Sequence, residues 1–234
     1  AMRYTEARLS IFAEYILQDL NKKTVGFVPN FDDEEYEPTV LPAKFPALLA
    51  NGSTGISAGY ATEIPPHNID EIIKGAIYRI NHPNCTLDKI MEIIPGPDFP
   101  TGGIVINEDE LLSIYETGMG KVKVRGKVDI EKAKGGKTNV VISEIPYPMI
   151  GANISKFLFD VAALAETKKT NDIVDITNQS SKEGIRIVIE LRKDADVENF
   201  KNLLYKKTRL EDTFGVNMLA ISNGRPETMG LKQI

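Results

Sequence analysis

Between Val122 and Ile145 the chain reads as two strands joined by a turn, and this pair limits the possible folds more than any other stretch. Val122, Val124, Gly126, Val128 and Ile130 alternate along the chain as a half-buried strand does. Lys134-Gly135-Gly136-Lys137 supplies a Gly-Gly turn, and Val140 to Ile145 returns as the second strand. A chain holding such a hairpin must build a sheet around it and cover one face of that sheet.

The flanking segments supply the cover. On the C-terminal side, Ile154–Glu166 and Val197–Lys206 read as helices, and Ile173–Ile176, Ile185–Leu191 and Val216–Ser222 as strands. Asn223-Gly224 is a turn. On the N-terminal side, Ile104–Ile106 reads as a strand and Glu108–Glu116 as a short helix. Asn68 caps a helix carrying Ile69, Ile72, Ile73, Ala76, Ile77 and Ile80 on its apolar face, with Glu71 three residues on as in a capping box. Leu87, Ile90, Met91 and Ile94 mark another short helix, ended by Pro95-Gly96-Pro97. Leu9, Phe12, Ile16 and Leu20 form the one-sided stripe of a first helix. Tyr4 is expected at or before its N-terminus, where the dipole and free amides favour an anion. The fold class is α+β: a helical first hundred residues, then helices packed on a mixed, largely antiparallel sheet. A subdivision falls near Gly96–Gly103.

In the helical part, Asn51-Gly52-Ser53-Thr54-Gly55-Ile56-Ser57-Ala58-Gly59-Tyr60-Ala61-Thr62 reads as a glycine-rich loop. No Gly-Lys-[Ser/Thr] follows it, and it lacks the Gly-x-Gly-x-x-Gly spacing, so it is neither a P-loop nor a dinucleotide fingerprint. It is an ordinary glycine turn or a backbone that approaches a phosphate chain. The retained apolar Ile56 in a loop stripped of bulk needs a reason of its own.

Several function classes are poorly supplied. Cys85 is the single cysteine, which excludes a disulfide framework, and His67 and His82 sit in turn-like contexts. A nitrogen- or sulfur-ligated metal site and a Ser/His/Asp triad therefore lack residues. Asp32-Asp33-Glu34-Glu35 reads as a solvated loop. No apolar run approaches the roughly 18 residues of a membrane helix. The net charge of −5 means that any polyanion contact is local.

Ala1-Met2-Arg3-Tyr4-Thr5-Glu6, Asn51-Gly52-Ser53-Thr54-Gly55-Ile56, Ile64-Pro65-Pro66-His67-Asn68 and Gly96-Pro97-Asp98-Phe99-Pro100-Thr101-Gly102 together resemble the type IIA DNA topoisomerases. The similarity continues through Glu144-Ile145-Pro146-Tyr147, Arg186–Leu191 and Asn217-Met218, so it spans essentially the whole chain. Within the family it is most similar to the A subunits of bacterial topoisomerase IV, on Asn51–Tyr60 and Phe99–Gly103, with gyrase A as the alternative. Two stretches depart from the family pattern: Thr177-Asn178-Gln179-Ser180-Ser181 replaces a charged run, and Pro148-Met149-Ile150-Gly151 replaces charged or amide residues.

The resemblance implies an ATP-dependent, isomerising enzyme that relaxes and decatenates chromosomal DNA in the bacterial cytoplasm. Tyr4 matches the catalytic tyrosine that forms a 5′-phosphotyrosyl link, with Arg3 beside the scissile phosphate. A phenol with a pKa of about 10 needs such activation near neutral pH. Ile56 matches the isoleucine that wedges between base pairs and kinks the duplex. Asn51, Ser53, Thr54 and Lys44 are candidate DNA contacts, with Lys74 beside them, although solvated lysine is an equal reading for Lys44 and Lys74. Residues 1–8 would close a winged-helix segment, and 9–234 would be the tower domain that supports gate DNA. Mg²⁺ and ATP would be held by a partner B subunit in an A2B2 assembly, with no metal on this chain. Read this way the chain is one piece of a longer polypeptide, inactive and monomeric by itself, and Ala1-Met2 are either native or a cloning remnant. A DNA-bending scaffold without catalysis is the contrasting reading.

Overall fold

A computed structural model of the chain describes residues 2–150 and 152–234. Ala1 and Gly151, each at the edge of a motif noted above, lie outside the described residues. A 3-10 turn over Met2–Tyr4 precedes α1 (Ile11–Leu17). Next come β1 (Phe27–Pro29), β2 (Tyr36–Pro38), α2 (Ala47–Asn51), β3 (Ser53–Ser57) and β4 (Tyr60–Ile64). They lead to α3 (Ile69–Asn81), α4 (Leu87–Met91), β5 (Ile104–Val105) and α5 (Leu111–Thr117). The remainder is β6 (Met119–Arg125), β7 (Lys127–Lys132), β8 (Thr138–Glu144), α6 (Ala152–Glu166), β9 (Ile173–Asn178), β10 (Ile187–Leu191), α7 (Val197–Lys207), β11 (Glu211–Asn217), β12 (Leu219–Ser222) and β13 (Arg225–Thr228).

The α+β class holds, and the antiparallel character is complete: every ladder among the described residues is antiparallel. Two larger sheets carry the fold, one ordered β3-β4-β11-β6-β5 and the other β7-β8-β10-β9. Each has its own apolar core. Ile64, Val122, Val124, Phe214 and Val216 of the five-stranded sheet pack on Ile72, Ile90, Ile94, Leu111 and Ile114. Val140, Ile142, Ile187 and Ile189 of the four-stranded sheet pack on Phe157, Val161, Phe200 and Leu204.

The alternating run from Val122 to Ile130 is therefore not one strand. It breaks at Gly126, where the chain leaves β6 in one sheet and enters β7 in the other. The Gly126 amide donates to Leu210 O at 2.7 Å, and a Cβ on Gly126 would lie 2.7 Å from Glu144 O. A side chain does not fit between these backbones, so glycine is the residue that lets the run change sheets.

Other expectations change as well. The first helix starts later than its apolar stripe implies: Ser10 is its N-cap, its hydroxyl accepting from Ala13 N at 3.2 Å, so Leu9 lies outside it and Tyr4 well before it. None of its residues is buried, and Phe12, 52% exposed, meets Tyr15 and Phe45 edge-on. On α3 only Ile72 and Gly75 are buried, while Ile73, Ile77 and Ile80 face outward. The strand expected over Val216–Ser222 divides at Met218 into β11 and β12, and β11 starts back at Glu211. Asn223 and Gly224, both at positive φ, turn β12 into β13, an unforeseen strand whose Pro226 is tolerated at an edge. No helix among the described residues is long and apolar enough to cross a membrane.

Candidate nucleic-acid interface

The glycine-rich stretch is not an irregular loop but a β-hairpin. Ser53 pairs with Ile64, Thr54 with Glu63, Gly55 with Thr62, Ile56 with Ala61 and Ser57 with Tyr60, around a tight turn at Ala58-Gly59. Gly52 joins α2 to β3 at φ +66°, and a Cβ there would lie 2.9 Å from Pro66 N and 3.1 Å from the Pro65 carbonyl carbon. Pro65 and Pro66 are themselves buried, so the hairpin root is held against a rigid wall.

Alternation within the hairpin sorts the candidate contacts. Thr54 and Ile56 project from the solvent face, and Ile56 is 91% exposed. Ser53 is half-buried on the opposite face with Ile64. An isoleucine left in water at the end of a two-stranded ribbon gains nothing for the fold from burial. Beside it lies an open groove lined by Leu48, Tyr60, Ile221 and Pro226, with Ile221 itself 71% exposed. The surface around the tip is thus apolar.

Two side chains not singled out in the sequence tie this ribbon to the rest of the sheet. Asn217 Nδ2 donates to Ala61 O at 2.7 Å, and Thr62 Oγ1 donates to Leu219 O at 2.6 Å. Both bonds fall next to the Ile56–Ala61 pair, where the β4–β11 ladder has thinned to the single pair Glu63–Asn217. In the sequence Asn217 stands out only as part of Asn217-Met218, with nothing to say which strand it reaches.

His67 is not in an open turn. It is buried, its Nδ1 lies 3.0 Å from Leu49 O and its Nε2 2.8 Å from the Tyr115 hydroxyl. A carbonyl oxygen only accepts, so Nδ1 carries the proton and Nε2 accepts from Tyr115. Burial, the leading cause, holds the imidazole below its usual pKa and pushes the Tyr115 phenol above its usual range. A neutral histidine thereby fastens α2, which feeds the hairpin, to α5 in the core.

The remaining candidates stand apart. Tyr4 is 86% exposed on its own 3-10 turn, separated from α1 by residues 5–10. Among the described residues neither Tyr4 nor Arg3 has a hydrogen-bond or ion-pair partner, and nothing joins them to the hairpin. Lys44 Nζ is 3.5 Å from Asp19 Oδ2, a carboxylate also held by Lys22 at 2.9 Å. Lys74 pairs with Asp70 one turn away on α3. Asn51 is the exposed last residue of α2. The acidic run forms the β1–β2 turn, where Asn30 Oδ1 accepts from the amides of Glu34 and Glu35. Among the described residues no three His, Cys, Asp or Glu side chains converge as metal ligands do.

Known proteins are similar to this sequence along its whole length. The family model for the A subunit of DNA gyrase and topoisomerase IV matches residues 1–234. The DNA topoisomerase 4 A subunit of Streptococcus pneumoniae is 55% identical over the 234 residues, which is all of this chain and 28% of that protein. Its namesake in Streptococcus pyogenes is 52% identical with the same coverage, and that of Bacillus subtilis 51% identical with 29% of its length covered. The chain thus spans less than a third of the curated relatives it matches.

Proposed function

The chain belongs to the family of DNA gyrase and topoisomerase IV A subunits, and from that premise we propose that it is the gate-DNA-bending part of a type II topoisomerase breakage-reunion subunit. The names of its relatives favour topoisomerase IV over gyrase. The observation that carries the reading is Ile56: an apolar side chain held in solvent at the end of a ribbon whose root and flank are both tethered. Such a wedge enters a base step, and its cost of roughly a few kcal/mol for unstacking is offset by contacts along the bent duplex.

In this reading Tyr4 Oη loses its proton and attacks a backbone phosphorus. The bond from phosphorus to the 3′ oxygen breaks, and that oxygen takes up a proton to leave as the 3′-hydroxyl. The product is a 5′-phosphotyrosyl ester that the same hydroxyl reopens. Arg3, a permanent cation next in the chain, would offset charge developing on the phosphoryl oxygens. Mg²⁺ and ATP belong, on this reading, to a partner B subunit in an A2B2 enzyme working on the bacterial chromosome, and no step is assigned to a metal on this chain. The tower domain over residues 9–234, after a winged-helix end at 1–8, is our assignment, and it includes the hairpin as two strands of its five-stranded sheet.

The test is made in the full-length protein with its partner, using supercoiled plasmid and denaturant trapping. Tyr4→Phe is expected to abolish the covalent DNA adduct while duplex binding persists. Retained adduct would overturn the role of Tyr4, and loss of binding together with cleavage would favour a structural role.

A further inference from the structure

The solvent face of the five-stranded sheet extends beyond Ile56. Thr54, Glu63, Asn217 and Met119 form one row across β3, β4, β11 and β6, each paired with the next. Paired residues share a face, and so do residues two apart along a strand. Ile56 therefore lies on this face, two residues towards the hairpin tip. Lys121 and Lys123 lie on it too, two and four residues along on the other side of the row, while Val122 between them and Val124 beyond point into the core.

Both lysines are exposed, and among the described residues neither has an ion-pair partner. That separates them from Arg125, the next outward residue of β6, which is held by Glu211 at 2.6 Å and lies over the Tyr205 ring. The β11 residues opposite the lysines are Gly215 and Thr213, so the floor beside them is low. Their backbone is fixed from the other edge. β5 is too short to cover them, and the buried Asn107 takes its place, donating to Lys121 O and accepting from Lys123 N, both at 2.8 Å. Glu63, on β4 of the hairpin and in the same row, repels phosphate, so the favourable contacts lie beyond it on β6.

We propose that Lys121 and Lys123 bind backbone phosphates of the duplex arm that leaves the Ile56 wedge across β11 and β6. Three strand spacings and four to six residues along the strands place them roughly 20 to 25 Å from Ile56, or about six or seven base-pair steps. Contacts at that reach hold the arm against the sheet after the kink, and so stabilise the bent form over the straight one. The proposal rests on the reading that Ile56 engages DNA.

Its test compares Lys121→Ala/Lys123→Ala, the Lys121→Arg/Lys123→Arg pair and the exposed control Lys132→Ala in the full-length protein. Binding is measured against salt on a duplex with arms of about 12 base pairs and on one cut to about 4 on each side of the bend. The alanine pair should reduce the slope of log affinity against log salt by about 2 on the long duplex, one for each phosphate contact. It should change nothing on the short duplex, and the arginine pair should behave as the parent. An unchanged slope on the long duplex, with the parent still bending DNA through Ile56, overturns this proposal and leaves the wedge standing. A parent protein that does not bend DNA, or bends it without Ile56, overturns both.

Discussion

His67 Nε2 accepts from the Tyr115 hydroxyl at 2.8 Å, inside the core beneath the hairpin. The pair is compatible with one charge state only, since an imidazolium would make Nε2 a donor and leave the buried phenol proton without an acceptor. The folded pKa of His67 is depressed by burial below the unfolded value of about 6.5. The stability it contributes is then fully present above about pH 6.5 and is lost as pH falls through the interval down to the folded pKa. Unfolding followed by urea between pH 5 and 8 should show a slope of up to about 1.4 kcal/mol per pH unit on the acid side. His67→Gln should remove that part of the slope. Tyr115→Phe should keep the slope and lower stability by about 1–3 kcal/mol, because it strands a buried acceptor.

Substitution of Ile56 is expected to separate DNA bending from stability. With its side chain already in water, Ile56→Ala should change unfolding stability by less than about 0.5 kcal/mol. The same substitution should reduce duplex bending, read as end-to-end distance by energy transfer across a short labelled DNA. A bend equal to that of the parent would leave the exposed isoleucine without a role.

The tethers should behave in the opposite way. Asn217→Ala and Thr62→Val each remove one hydrogen bond next to Ala61 and are expected to cost about 1 kcal/mol. Amide exchange in β3 and β4 should quicken, and bending should weaken although Ile56 is untouched. If exchange quickens and bending does not change, the wedge needs no fixed ribbon.

What can be read from the sequence depends on how local its cause is. The Asn68 cap, the Gly-Gly turn at 135–136 and the periodicity of α6 and α7 each depend on residues a few positions apart, and each is found in the structure. The glycine stretch reads as a loop because Ser, Thr and Gly do not announce a strand by periodicity. β3 and β4 form because Ile64 and the ladder to β11 recruit them, a contact between Glu63 and Asn217. The stripe of α1 and the outward isoleucines of α3 have the period of a buried face yet stay largely exposed among the described residues. Ile56 stands out as the retained apolar residue in a stretch otherwise stripped of bulk, but a role for it, as for Tyr4, comes only through resemblance. Neither Asn107 nor the shared face of Lys121 with Ile56 has a local signature, since both follow from strand order.

Gly126 is where the two cores meet. Its amide donates to Leu210 O at 2.7 Å, its carbonyl accepts from Tyr205 Oη at 3.1 Å, and Arg125 beside it stacks 4.9 Å from the Tyr205 ring centroid. A methyl group at this position meets the Glu144 carbonyl oxygen at 2.7 Å, and backbone cannot swing aside as a flexible side chain can. Gly126→Ala should therefore cost about 1–3 kcal/mol by overpacking, despite the higher strand propensity of alanine. Tyr205→Phe keeps the ring under Arg125 and removes one bond to Gly126, for about 1 kcal/mol. If the junction couples the sheets, Gly126→Ala should also separate a single unfolding transition into two when followed by probes in the five-stranded and four-stranded sheets. Coincident transitions at lowered stability would mean that the cores unfold together whatever the junction does.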